Sequence, residues 1–90
     1  MSRKESRKLE RVFKGISNHR RIDILFLIKK TTEISLFDIA DHLKCNRKTI
    51  SEHTWRLVKA GLVNKRYRGR QVIHTLSPYG EKVINVLNNF

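Results

Sequence analysis

The apolar residues of this chain change their spacing at Gly61. Before Gly61 they recur every three or four positions, which is the period of amphipathic helices. In residues 62–68 and 71–76 apolar and polar residues alternate instead, which predicts two strands joined by a turn at Arg68-Gly69-Arg70. Gly69 suits the centre of that turn because glycine adopts a positive φ without steric penalty. The chain is therefore expected to add a small β-hairpin to a set of helices.

The apolar spacing and the capping residues predict five helices, at residues 5–16, 19–30, 36–43, 47–60 and 78–90. Each helix after the first follows a Ser or Asn that can accept hydrogen bonds from the first backbone N–H groups. These caps are Asn18, Ser35, Asn46 and Ser77. Residues 31–35 are rich in β-branched side chains and predict a connector or a brief strand. The fold class is thus mainly α with a small β-hairpin.

The chain has 90 residues, the size of one small domain, and residues 1–90 are predicted to form it. Residues 1–8 are rich in charge and are expected to fray. A single cysteine, Cys45, excludes a disulfide framework within the chain and fits a reducing cytoplasm. The first residues lack an apolar signal region, and the apolar stretch at residues 22–28 is too short to span a bilayer. A cytoplasmic location without a membrane segment is expected.

Charge is the strongest compositional signal. Twenty Lys and Arg residues against eight Asp and Glu give a net charge of +12, which favours a polyanionic partner. The excess is concentrated, because residues 44–70 hold nine Lys or Arg and a single acid, Glu52, whereas residues 31–43 carry a net charge of −3. This distribution favours a nucleic-acid surface over one that is basic only for solubility. No segment resembles a basic amphipathic membrane anchor.

The third and fourth predicted helices are joined by only three residues, Lys44-Cys45-Asn46, which is the helix-turn-helix pattern. In this motif the second helix enters the major groove of DNA with its N-terminal residues against the base edges. Arg47 and Lys48 are suited to guanine, while Ile50 and Leu57 on the opposite face anchor the helix to the core. The residues predicted to contact DNA from this helix are Asn46, Arg47, Lys48, Thr49, Ser51 and Glu52.

The hairpin supplies a second set of cations. Its predicted DNA contacts, to phosphates or to the adjacent minor groove, are Lys65, Arg66, Arg68 and Arg70. Tyr67 suits either a phosphate hydrogen bond or packing across the strand pair. Trp55 follows Lys48 by seven residues on nearly the same helical face, which places it either beneath the hairpin or at the edge of the DNA.

Several motifs resemble the ArsR-type winged-helix repressors over residues 9–90. FKGISNHRRIDIL (residues 13–25) resembles the opening of that family. IADHL (39–43), TISEH (49–53) and LVKAGLV (57–63) resemble its helix-turn-helix, and GRQVIHTLSPYG (69–80) resembles its hairpin, or wing, and the start of its last helix. The AGLV and GRxV motifs also occur in other winged-helix families, including MarR-like proteins. The resemblance implies a winged helix-turn-helix with about five helices and a two- or three-stranded wing.

The resemblance also implies a homodimer formed through the first and last helices. The apolar candidates for that interface are Leu9, Val12, Phe13, Ile16, Val83, Ile84, Leu87 and Phe90. The alternative is that they close the core of a single chain. A two-fold dimer would present two recognition helices to DNA half-sites about 34 Å apart.

Metal-sensing members of that family carry a Cys-x-Cys element before the recognition helix, or paired Asp, His and Glu ligands on the last helix. Here residues 36–40 read LFDIA, and the last helix has Glu81 but no histidine. The four histidines are spread over different elements, so no metal or other cofactor is expected. Cys45 lacks a resolving partner and is interpreted as a turn residue rather than a redox switch.

These observations predict a sequence-specific double-stranded DNA-binding transcription regulator, acting as a dimeric repressor without metal sensing. Two alternatives keep the fold: a sequence-tolerant architectural DNA-binding protein, and a module for contact with protein or RNA. An enzyme is not expected, because the chain has no glycine-rich phosphate loop, nucleophile motif or metal-hydrolase spacing.

Overall fold

A computed structural model describes all 90 residues, Met1–Phe90. It confirms a mainly α fold with five helices and a small three-stranded sheet. In chain order the elements are α1 (Arg3–Ile16), α2 (His19–Thr31), β1 (Glu33–Ser35), α3 (Leu36–Leu43), α4 (Arg47–Lys59), β2 (Val63–Arg68), β3 (Gln71–Leu76) and α5 (Pro78–Leu87).

The predicted caps begin α2 to α5. The Asn46 side chain accepts a hydrogen bond from the Lys48 backbone N–H at 2.7 Å, and Asn18 and Ser35 serve α2 and α3 in the same way. The first helix begins at Arg3 rather than Glu5, because Ser2 and Glu5 form a reciprocal capping box that was not predicted. Fraying of residues 1–8 stays a prediction.

Two helices end earlier than predicted and one ends later. The fourth helix stops at Lys59, one residue before Ala60, and Gly61 then takes a positive φ of 80°. The last helix stops at Leu87, where two asparagines of low helix propensity follow, and Phe90 is 97% exposed. The second helix continues to Thr31, whose hydroxyl donates to the Leu27 carbonyl at 2.9 Å.

The sheet is antiparallel with strand order β1-β3-β2, so the brief strand predicted near residues 31–35 adds a third strand at the base of the hairpin. Across it, Lys65 pairs with His74, which pairs with Ile34. Arg66 pairs with Ile73 in the neighbouring row, on the opposite face of the sheet. The hairpin turns at Gly69, which has the positive φ that the turn requires.

The hydrophobic core lies between the helices and the sheet base. Its fully buried apolar residues come from α2, α3, α4, α5 and the segment before β2, and are Ile24, Leu25, Ile28, Ile39, Ile50, Leu57, Leu62 and Ile84. Ile50 and Leu57 anchor α4 as predicted, and their burial fixes which face of α4 points outward. None of the helices is both long enough and apolar enough to cross a membrane.

Candidate nucleic-acid interface

The N-terminal half of α4 is presented to solvent. Arg47, Lys48, Ser51 and Glu52 are exposed, and Thr49 is half-buried. Asn46 is committed to capping the helix through the N–H groups of residues 48 and 49. A helix tip held in this way projects its side chains outward together, which is the arrangement that major-groove recognition needs.

An exposed aromatic ring supports Arg47. The Arg47 guanidinium lies 3.6 Å from the centre of the Phe37 ring, a cation–π contact between α4 and α3. Phe37 is 49% exposed and lines a recess together with Arg70 of the hairpin turn. This role was not predicted, although an aromatic residue outside the inward stripe of α3 was a signal available in the sequence. Phe37 thus contacts the recognition helix and lies near the hairpin turn.

The hairpin divides its cations between two faces. Lys65 and Tyr67 lie on the face that looks across a cleft to α4. Arg66 and Arg68 lie on the other face, because strand side chains alternate. The structure therefore brings Lys65 to the recognition helix, whereas the predicted contacts Arg66 and Arg68 form a separate pair.

Glu33 of β1 holds that pair. Its carboxylate accepts hydrogen bonds from the guanidinium groups of Arg66, at 2.5 Å, and Arg68, at 2.7 Å. The hydrogen bond from Arg68 is the main reason that the pKa of Glu33 is lowered. Both ion pairs are exposed, so they orient the arginines more than they stabilise the fold. The contact was not predicted, because it depends on β1 joining the sheet.

The cleft between α4 and the hairpin has a volume of about 390 Å³. Ser51, Glu52 and Trp55 line it from α4, opposite Lys65 and Tyr67. Trp55 is 50% exposed, so the hairpin does not cover it fully, and its place at the edge of the DNA stays a prediction. Its neighbour Thr54 is buried and donates to the Ser51 carbonyl at 3.0 Å. The cleft joins the recognition helix and the hairpin into one surface.

His74 forms the floor of this cleft. It is 1% exposed, and its Nδ1 atom has no hydrogen-bond partner. Burial lowers the pKa of His74, with a smaller opposing effect from the Ile34 backbone and a further lowering by the charge of Lys65. The pKa of the half-buried His53 is also lowered, by burial and by the nearby Arg21.

Burial keeps His74 neutral in the folded chain, whereas in the unfolded chain this histidine is protonated below about pH 6.5. The free energy of unfolding should therefore fall as the pH drops below about 6.5. The loss should approach about 1.4 kcal/mol per pH unit from this residue until its folded pKa is reached. Urea unfolding between pH 7.5 and 5 measures it. His74→Gln should flatten the slope more than His53→Gln. A stability that stays constant over this range would contradict the prediction.

The structure brings no group of three His, Cys, Asp or Glu side chains together in a way that could hold a metal ion. Cys45 is a free, half-buried cysteine in the turn between α3 and α4. Its backbone N–H donates to the Ala40 carbonyl at 3.0 Å, which makes it part of the turn geometry.

The predicted dimer residues separate into two groups. Val12, Ile16 and Ile84 are buried in the core of this single chain, as the alternative to a dimer interface predicts. Leu9, Val83 and Leu87 are half-buried. Phe13 is 63% exposed and Phe90 is 97% exposed. Fewer of the predicted interface residues are therefore accessible to a second copy of the chain.

A helix-turn-helix with an exposed recognition helix, beside a sheet whose hairpin carries cations, defines a winged helix-turn-helix domain. The chain belongs to the ArsR family of bacterial regulatory proteins, whose sequence pattern matches residues 18–65. It is therefore a transcription regulator with a DNA-binding domain, in a family of regulators rather than enzymes. The match decides between the ArsR-like and MarR-like resemblances in favour of the former.

Known proteins agree with this assignment. The transcriptional activator HlyU of Vibrio cholerae serotype O1 (strain ATCC 39315 / El Tor Inaba N16961) is 32% identical over 74 residues, which are 82% of this chain and 68% of HlyU. The solved structure of HlyU from Vibrio cholerae N16961 has a TM-score of 0.88 at 29% identity, over 98% of this chain and 96% of that one. The homodimeric winged helix-turn-helix domain of Mb0332 from Mycobacterium bovis, a possible ArsR-family regulator, has a TM-score of 0.83 at 26% identity, over 99% and 83% of the two chains.

Proposed function

We propose that this regulator binds double-stranded DNA sequence-specifically through α4 and the hairpin. The observation that supports this most is the exposed face of α4, with Arg47 stacked on Phe37 at the tip of the helix and Ser51 and Glu52 opposite Lys65 in the cleft. In this proposal Arg47 and Lys48 read guanine edges, and Glu52 accepts from cytosine or orients a neighbouring cation. Thr49 and Ser51 bind bases or phosphates, and the hairpin cations Lys65, Arg66, Arg68 and Arg70 neutralise phosphates.

A competition gel shift distinguishes this proposal from a module that binds RNA or protein. A labelled random-sequence duplex is challenged with unlabelled duplex DNA, single-stranded RNA or double-stranded RNA at equal phosphate concentration. Duplex DNA should displace the label at the lowest concentration, because the helix tip fits the wide major groove of B-form DNA and not the narrow one of A-form RNA. Equal or better displacement by RNA would contradict the proposal.

We also propose that the protein acts as a homodimer through α1 and α5. The exposed rings of Phe13 and Phe90 support this, as does the homodimeric state of the related Mb0332 domain. Phe13→Glu should weaken the dimer by about 10- to 100-fold, because the dimer would lose the contact of the aromatic ring and would bury a charge in its place. Analytical ultracentrifugation measures the dissociation constant. Tyr67→Glu on the hairpin is the control that should leave the dimer intact, and equal weakening by both changes would refute an interface at Phe13.

We propose that the protein represses transcription by occupying a promoter, and that it does so without a metal signal. Since the related HlyU is named an activator, a promoter–reporter fusion with and without the protein is the experiment that decides the sign of regulation.

A further inference from the structure

A second strongly basic surface lies outside the proposed interface, between α1 and the end of α4. A groove of about 500 Å³ is lined there by Lys4, Lys8, Arg11 and Lys59 with Ala60, Gly61 and Tyr79, and no acidic side chain lines it. Exposed cations in a concave surface raise the local concentration of anions.

The groove and the cleft beside the recognition helix both share lining residues with one recess between them. This recess shares Arg11 and Lys59 with the groove, and adds Lys14, Arg56 and Trp55. Trp55 in turn lines the cleft between α4 and the hairpin. We call the surface made of Lys4, Lys8, Arg11, Lys14, Arg56 and Lys59 the basic track.

Most cations of the basic track are unpaired and two of them are held in place. Lys14 alone forms an ion pair, with Glu10 at 3.5 Å. The Lys8 ammonium lies 4.7 Å from the centre of the Tyr79 ring, and the Lys59 ammonium lies 4.6 Å from that of Trp55. These positive charges are therefore available to an external anion.

The close approach of α1 to the end of α4 builds the track. A Cβ atom on Gly15 would lie 2.6 Å from the Ala60 Cβ, so glycine permits this contact. Lys4, Lys8 and Arg11 precede Gly15 on the same helical stripe. The exposed Phe13 lies roughly 140° or more around α1 from these three cations, so a dimer formed through Phe13 leaves them uncovered.

We infer that the basic track binds the phosphate backbone of the same DNA duplex, beyond the segment contacted by α4 and the hairpin. The inference rests on the proposed DNA-binding function. The recess that shares Arg11 with the groove and Trp55 with the cleft, together with the lack of acidic side chains in the groove, favours a duplex that runs from one surface onto the other. Because it involves phosphates alone, the contact adds affinity without sequence preference.

The test compares two triple variants that remove the same number of charges. Lys4, Lys8 and Arg11 are changed to Gln in one, and Lys29, Lys30 and Lys82 on α2 and α5 are changed to Gln in the control. Affinity for operator and scrambled duplexes is measured by fluorescence anisotropy over a salt series. The track variant should bind both duplexes about tenfold more weakly, and its salt slope should fall by about 2 to 3 for each protomer. Its hydroxyl-radical footprint should be shorter, whereas the control keeps the slope and the footprint of the unmodified chain.

Lys59→Gln provides a second measurement that does not alter α1, and its slope should fall by about one. Equal salt slopes and equal footprints for the track and control variants would overturn the inference while leaving the proposed function intact. Failure of the unmodified chain to bind any duplex would overturn both.

Discussion

Changing Arg47 to alanine should remove most of the preference of the protein for its operator over a scrambled duplex. A bidentate contact from arginine to guanine contributes about 1–3 kcal/mol of discrimination, which corresponds to about 5- to 150-fold in affinity. The stacking of Arg47 on Phe37 holds the guanidinium in place before binding, so little side-chain freedom is left to lose. Fluorescence anisotropy on both duplexes, at one salt concentration, measures the ratio of affinities.

Arg68→Ala is the matched contrast, because it also removes one arginine but from the hairpin face held by Glu33. It should weaken both duplexes equally and lower the salt slope by about one. Arg47→Lys separates the effect of charge from that of shape, because lysine keeps the charge but lacks the planar guanidinium. This variant should also lose the preference for operator over scrambled duplex. If Arg47→Ala weakened operator and scrambled duplex by the same factor, Arg47 would not read bases.

Changing Gly80 to alanine should destabilise the fold by about 3 kcal/mol, at the upper end of the cost of overpacking. A Cβ atom at Gly80 would lie 2.1 Å from the Leu62 carbonyl oxygen. This clash cannot be relieved by a side-chain rotation, because the oxygen belongs to the backbone. The first turn of α5 is also fixed there by Ser77, whose N–H donates to the Leu62 carbonyl at 3.0 Å and whose hydroxyl donates to the Gly61 carbonyl. For a domain of this size the melting temperature should fall by about 12–24 °C.

Gly69→Ala at the hairpin turn is the control for this effect. It has the positive φ of 61° but no atom within 4 Å of the added Cβ, so it should cost only about 1 kcal/mol. Thermal and urea unfolding of the two variants separates close packing from backbone strain. Equal losses would contradict the packing of Gly80 against Leu62.

Local features of this fold were predictable because they depend on neighbouring residues. Asn18, Ser35, Asn46 and Ser77 cap helices where the sequence placed them, and the alternation after Gly61 gave the hairpin. The start of α1 was predicted two residues too late, because Ser2 and Glu5 lie in a charge-rich segment that lacks apolar periodicity.

Contacts between distant elements were not predictable from spacing. Glu33 meets Arg66 and Arg68 only because β1 joins the far edge of β3. The basic track likewise requires α1 to pack on the end of α4. Val12, Ile16 and Ile84 were candidates either for a dimer surface or for the core of a single chain, and they lie in that core; spacing could not decide this, because apolar residues at helical spacing serve a core and an interface equally well.

The most direct test of sequence-specific DNA binding by α4 and the hairpin is selection from a pool of random duplexes, followed by footprinting of the enriched site. We expect enrichment of an inverted repeat whose half-sites are centred about 10 bp apart, with a discrete protected region that Arg47→Ala abolishes. A pool that stays random after repeated rounds, or protection spread evenly along the duplex, would contradict sequence-specific recognition.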